Sequence, residues 1–449
     1  MPSKNRTTRF PYLLLLPAAL FFVLPIPHTI ALRDLLALVC VGLFIYFAFR
    51  DGRPHLPADT RVPLRLYLAF LIWLAGAGAV LAKQPAVILH EIASQWLRGL
   101  VYLGIGALVA LKLYAPQRRM WLVVLAAVLL VHVAYADLAA LGHWLWYGEW
   151  IDRIGGAIIT GLTAGPDRLS LLVNMLLAML LVEALRRACG EEGMFPVRTR
   201  VLVALFGVPM LGFFVASTRN GMVALIVFAI LFAVLLMRGR RLERLPMLSL
   251  LGGLALIVAL GAWHSWRTDP RWDSLRETIP LALDTQGNKA WLVWEKYPPP
   301  RLASGETVAH SNYTRIAWLK EGMLLVKEHP FGMGFERGAF GRGLQAKYGE
   351  GLGQHSHSGM LDLAIGAGIP GVLLWVAFLA VLWWQGYKAW VTRRDYSGAL
   401  LVFLVSDFFT RSLVDSIVRD YMLLQFLFLV GTLFVVMTRA EGLHDAHRT

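Results

Sequence analysis

Charge is scarce in this chain. Only 16% of its 449 residues are Asp, Glu, Lys or Arg, whereas soluble domains carry about a quarter. Cysteine is nearly absent. Cys40 falls in an apolar run and Cys189 in a basic loop, which excludes a scaffold built on disulfides. No Asp-x-Asp and no His-Glu-x-x-His occurs, so local motifs give no support to a metal-dependent mechanism. There is no internal repeat and no low-complexity tract, which speaks against a solenoid.

What fills the chain instead is hydrocarbon. Hydrophobic residues make up 57% of it, with a mean hydropathy of +0.59. Apolar runs long enough to cross a bilayer, about 17 to 25 residues each, recur near 11–26, 31–49, 64–82, 98–115, 120–141, 168–185, 200–217, 221–237, 246–263, 358–384, 397–412 and 420–437. The expected fold is therefore an all-α polytopic membrane protein of about twelve transmembrane helices. A net charge of +14 could suggest nucleic acid in a soluble protein. Here the basic residues sit in alternate short loops: Arg50, Arg53, Arg61 and Arg65; Arg118 and Arg119; Arg186, Arg187, Arg198 and Arg200; Arg238, Arg240, Arg241 and Arg244; Lys388, Arg393 and Arg394. That alternation is a topology signal, not a nucleic-acid surface. It places both termini in the cytoplasm, in agreement with an even number of spans. Lys4, Arg6 and Arg9 precede the first apolar run, which reads as an uncleaved first span.

One segment between spans is too long to be a plain connector. The expected organisation is a membrane region over 1–263, a partly helical periplasmic loop over 264–357, and a second membrane region over 358–449. Within the loop, residues from Ser311 to Pro330 have the spacing of an amphipathic helix. Ile316, Leu319, Met323 and Val326 fall on one face, with Ser311 or Asn312 as the expected N-cap.

Ionisable groups within spans are expensive and point to function. Asp137, Arg168, Arg219, His357, Asp407, Arg411 and Arg419 all map to the outer half or outer edge of their helices. A transporter would spread such groups through the membrane depth and would show repeats; a one-sided cluster fits a reaction at the outer leaflet. Arg219 follows Ser217 and Thr218 and opens a span. A helix start with free N–H groups, an arginine and the small Gly221 suits a phosphate. Arg315, expected in the first turn of the amphipathic helix, could bind an anion in the same way. His357 is expected in the first turn of the span that follows, where the helix dipole favours a neutral ring able to accept a proton. His355 precedes it, so a His-x-His metal pair is an alternative. Gly332-Met333-Gly334 lacks the strand, helix and Lys-Ser/Thr pair of a phosphate loop.

Several of these residues resemble the O-antigen ligase and O-antigen polymerase superfamily. They are Arg315-x-x-Trp318, the run Pro330-Phe331-Gly332-Met333-Gly334, and His357-Ser358-x-x-Leu361 continuing to Gly368-x-x-Gly371. Thr218-Arg219 resembles the Ser/Thr-Arg pair of the same family. Ser358 stands where Asn is common, and Ala364 where a larger apolar residue is common. The resemblance implies a GT-C-like glycosyltransferase of a Gram-negative inner membrane. Such an enzyme transfers a glycan from an undecaprenyl-diphosphate donor to lipid A-core at the periplasmic face, completing lipopolysaccharide. It implies His357 as catalytic base and Arg219 and Arg315 as diphosphate ligands; Arg168 is a further expected ligand from its place at the outer start of a span. It implies an inverting displacement with no cofactor and no metal, and membrane lipids rather than nucleic acid as partners. O-antigen polymerase and protein O-oligosaccharyltransferase are alternatives within the superfamily, and a lipid-linked glycan transporter is one outside it.

Overall fold

The computed structural model describes residues 11–51, 57–81, 85–113, 115–150, 161–163, 165–216, 218–238, 274–351 and 355–445, with a few positions between 252 and 272. The described helices, numbered in chain order, are α1 (Pro11–Val23), α2 (Ile30–Asp51), α3 (Arg61–Leu81), α4 (Pro85–Glu91), α5 (Arg98–Lys112), α6 (Ala115–Tyr147), α7 (Pro166–Ala188), α8 (Thr199–Ala216), α9 (Arg219–Met237), α10 (Leu275–Leu283), α11 (His310–Glu328), α12 (Ala339–Tyr348), α13 (Gly359–Arg393), α14 (Tyr396–Ser412) and α15 (Asp420–Asp445). A π-helical turn, Ile92–Leu97, joins α4 to α5. Among the described residues eight helical segments are long and apolar enough to cross a membrane, and two apolar helices are shorter. The described residues contain no strand, and the protein is a multi-pass membrane protein. The ninth expected span, 246–263, lies outside the described residues save for scattered positions.

The bundle core is built on α7, α14 and α15. The α15 span is wholly buried and that of α7 89% buried, against 11% for α2. The outlying α2 therefore offers its apolar side chains to lipid, as a helix at a bundle's rim must. The tightest crossing pairs α15 with α5. A methyl group on Gly106 would come 2.1 Å from the Phe428 carbonyl oxygen, and one on Gly431 would come 2.1 Å from that of Leu103. Small residues at such a crossing let the two backbones touch, the usual basis of helix association in lipid.

Between α9 and α13 a separate apolar cluster forms around Trp291, Tyr313, Ala317, Leu325, Phe340 and Leu344, and it takes in Leu361 and Ile365 from α13. Here the expected face of α11 holds in part: Ile316 and Val326 pack against the cluster. Leu319 and Met323 are exposed, at 47% and 55%, while Tyr313, Ala317 and Gly322 are buried. A short residue is needed against α13: a methyl on Gly322 would lie 2.5 Å from Leu361 Cδ2. Close approach won over side-chain hydrophobicity. The helix also starts earlier than expected, at His310 with Ala309 as N-cap, so neither Ser311 nor Asn312 caps it.

The Pro-Phe-Gly-Met-Gly run docks backbone to backbone on α13. Met333 N–H donates to the Ile365 carbonyl (2.9 Å), Gly334 N–H to that of Gly366 (3.0 Å), and Ile369 N–H to that of Pro330 (2.8 Å). These bonds are possible because α13 breaks at Gly368, whose φ of 70° and ψ of 178° only glycine adopts readily. Trp73 Nε1 donates to the Ala367 carbonyl at the break (2.7 Å). The glycines of the run thus serve a dock, not a phosphate loop.

Candidate functional site

His357 lies just before α13, not in its first turn as expected. Ser358 is the N-cap; its hydroxyl accepts from Leu361 N–H. His357 itself is left-handed, with φ 59°, a conformation uncommon outside glycine that histidine adopts more readily than most residues. Its N–H donates to His355 Nδ1 (3.2 Å). Ser416 Oγ lies 3.1 Å from the same nitrogen and 3.2 Å from Asp362 Oδ2. The other Asp362 oxygen accepts from Ser356 N–H (2.7 Å). Asp362, Ser416 and His355 therefore clamp the turn that presents His357. Because His355 Nδ1 accepts from a backbone N–H, its proton resides on Nε2.

The His357 ring stacks on Trp318 of α11, with 5.5 Å between centroids and 7° between planes. Trp318 is fixed in turn by its Nε1–H bond to the Trp291 carbonyl (3.0 Å). Burial, and after it the charges of Arg315 and Arg419, lower the His357 pKa from 6.5 to about 4; Asp167 opposes them. His355 is lowered further, to about 3, again by burial first and then by Arg419. Both imidazoles are neutral at pH 7. What favours the neutral ring here is burial and two arginines, not a helix dipole.

Arg315 stands in the second turn of α11, since that helix begins at His310. Among the described residues neither Arg315 nor Arg419 makes an ion pair or side-chain hydrogen bond. Two guanidinium groups without carboxylate partners beside a neutral imidazole form a place for an anion. Lys320, by contrast, is occupied: its Nζ donates to the Leu283 carbonyl (2.6 Å).

Arg219 is the first residue of α9, with Thr218 as N-cap; its side chain lies outside the described residues. The helix start is tied to the His357 turn through Arg411. A methyl on Gly221 would lie 2.8 Å from Ser170 Oγ. That oxygen accepts from Arg411 Nη1 (2.8 Å), while Nη2 donates to the Asp167 carbonyl (2.9 Å) and pairs with Asp415 (3.5 Å). Gly359 N–H in turn bonds the Asp415 carbonyl (3.0 Å). Arg411 is fully buried and joins α7, α14 and the turn before α15; it is a tie, not a free charge. One helical turn deeper, Asn174 donates to Asp407 (2.7 Å).

Arg168 is not among the charges that act on His357. Its guanidinium sits over the Tyr421 ring, 5.3 Å from the centroid, and it is the neighbouring Asp167 whose charge reaches His357. Among the described residues no three His, Cys, Asp or Glu side chains converge as a metal site would require. Sequence reasoning passed over Arg419 and Asp362 as site residues. Arg419 was visible as an outer-edge charge, and Asp362 as a carboxylate inside an apolar span.

Comparison with known families falls on this same region. Residues 201–376 match the family model described as O-antigen ligase. The segment is similar to the O-antigen ligase family. It spans α8 to the middle of α13 and contains Arg219, Arg315 and His357, the positions on which the sequence resemblance rests. Arg168, Arg411, Ser416 and Arg419 come from outside the matched segment. No curated protein matches the chain. O-antigen ligase family members are glycosyltransferase-like membrane enzymes.

Proposed function

We propose that the protein is an O-antigen ligase of a bacterial inner membrane. On this reading the His357 end of the bundle faces the periplasm, and a glycan passes there from undecaprenyl diphosphate to lipid A-core. The observation that carries the reading is a neutral His357, stacked on Trp318, with the unpaired Arg315 and Arg419 beside it. That set matches what a displacement at a sugar–diphosphate bond needs.

The acceptor hydroxyl oxygen attacks the anomeric carbon as His357 takes its proton. The bond from that carbon to the diphosphate oxygen breaks, and undecaprenyl diphosphate leaves with the bonding pair. One displacement inverts the configuration. Arg315, Arg419 and Arg219 stabilise the charge that grows on the leaving oxygens. An imidazole of pKa about 4 is a weak base, but the diphosphate changes that. Its negative charge offsets the two arginines that hold the pKa down, so proton affinity rises when donor is bound.

The test is transfer by purified protein in detergent, with lipid-linked donor and lipid A-core present and no membrane gradient. Product supports a transferase; a transporter gives none. A knockout scored on a lipopolysaccharide gel refines it. Polymer left on the undecaprenyl carrier supports the ligase reading, while single repeat units on the core reassign the protein as a polymerase. Transfer that is lost in EDTA and restored by a divalent ion would contradict the metal-free step.

A further inference from the structure

The bundle end that carries His357 holds a second group of polar side chains, between α2, α5, α7 and α15, that has no acidic partner among the described residues. Arg33 stands near the start of α2 and Arg168 in the first turn of α7. Each guanidinium carbon lies 5.3 Å from the centroid of the Tyr421 ring, so the two are at most about 11 Å apart. Like charges this near each other repel unless something negative is shared between them. The acidic groups close by are already engaged: Asp34 pairs with Arg98 at 3.0 Å, and Asp420 with Arg337 at 2.7 Å. Arg33 uses Nε and Nη2 on Thr29 and the Ile26 carbonyl. Among the described residues the Arg168 side chain makes no hydrogen bond and no ion pair.

Two phenols complete the group. Tyr421 is 4% exposed and Tyr102 1%, and each hydroxyl is buried with no hydrogen-bond partner. Both tyrosines are electrostatic neighbours of Arg33. A buried O–H donor without an acceptor is costly, and native structures seldom keep one. Two such donors and two guanidinium groups share one missing partner, an oxyanion. The set is distinct from the transfer site, because the charges acting on His357 are those of Arg315, Arg419 and Asp167.

We propose that Arg33, Arg168, Tyr102 and Tyr421 form a second anion site that takes a phosphate group. Its lipid form is a phospholipid whose tails lie along the exposed apolar face of α2. The arginines meet the phosphate oxygens with charge-assisted bonds, and the phenols complete the coordination. Nothing in this site requires the transfer reaction, so it stands or falls separately.

The full-length protein is tested with two probes: pyrophosphate in detergent, and nanodiscs of phosphatidylcholine with or without phosphatidic acid, read by native mass spectrometry. Wild type is expected to retain phosphatidic acid over phosphatidylcholine. Arg33→Gln and Arg168→Gln weaken retention at least about tenfold, the loss of one charge-assisted bond. Tyr421→Phe keeps the ring and its packing and removes only the hydroxyl, so it decides the matter if an arginine variant fails to fold; it is expected to weaken retention severalfold. His357→Ala leaves retention unchanged. Displacement of the lipid by pyrophosphate assigns a site for the anion alone; retention despite pyrophosphate assigns a lipid site. Equal retention by wild type and every folded variant overturns the proposal.

Discussion

The imidazole of His357 lies parallel to the indole of Trp318, 5.5 Å from it between centroids. The two residues come from different elements, the turn before α13 and the middle of α11, and the pair fixes the plane in which His357 can receive a proton. Replacement of Trp318 by Phe should keep a flat surface and most of the activity. Replacement by Ala should lower kcat by about ten- to a hundredfold with little change in KM, since orientation and not binding is lost. Steady-state kinetics of both variants, on protein of unchanged helical content, separates these outcomes. Equal losses in Phe and Ala variants would assign Trp318 to another role.

Arg419 gives a prediction with a definite sign. Its positive charge is one of the causes that lower the His357 pKa. A protonated imidazole cannot act as base, so kcat/KM falls as pH drops through the free-enzyme pKa. Wild type should hold its kcat/KM down to about pH 5. Arg419→Gln removes one lowering charge, so its acid limb should move to higher pH, towards the ordinary 6.5, besides any loss from weaker diphosphate binding. Burial remains, which keeps the shift partial. A pH–rate profile checks this, and an acid limb that stays put or moves to lower pH would refute it.

Stability should follow the same two imidazoles. Both His355 and His357 have folded pKa values below their unfolded value of 6.5. Between those limits the unfolded chain binds more protons than the folded one. Their contribution is thus intact above pH 6.5 and is lost progressively as pH falls towards about 4 and then 3. Thermal unfolding in detergent from pH 7.5 to 4.5 should show a falling midpoint, and the fall should be shallower in His355→Gln.

Gly368→Ala tests the dock of the Pro-Phe-Gly-Met-Gly run. A methyl there would lie 2.3 Å from the Phe331 carbonyl carbon, in a backbone conformation that disfavours any side chain. The expected cost is at least about 2 kcal/mol, seen as a lowered unfolding midpoint or loss of monodisperse protein. Gly142→Ala, at an open position of α6, is the control and should be close to neutral. Matching behaviour of the two variants would mean that the dock is not needed for the fold.

Much of this was legible in the sequence, and the rest was hidden for identifiable reasons. Apolar runs gave the helices, because in lipid the backbone has no other way to satisfy itself. His357 and Arg315 stood out because polar groups beside spans are rare. Arg419 could not be joined to them: 62 residues separate it from His357, and only the turn between α14 and α15 brings it back. The carboxylate of Asp362 looked like an isolated charge because its partners, Ser356 and Ser416, are weak signals taken singly. On α11, Ile316 and Val326 were placed correctly, but Leu319 and Met323 were misread, since periodicity counts large apolar residues whereas contact with α13 selected Gly322. Arg168 looked like its neighbours in position and differed only in direction, which no sequence spacing records.

The central claim is that His357 is the base, and one measurement bears on it most directly: transfer by purified His357→Ala and His357→Gln, each checked for native unfolding behaviour. Removal of a general base should lower kcat by about a hundred- to ten-thousandfold, with donor binding preserved through Arg315 and Arg419. Transfer at wild-type rate by either folded variant would contradict the account.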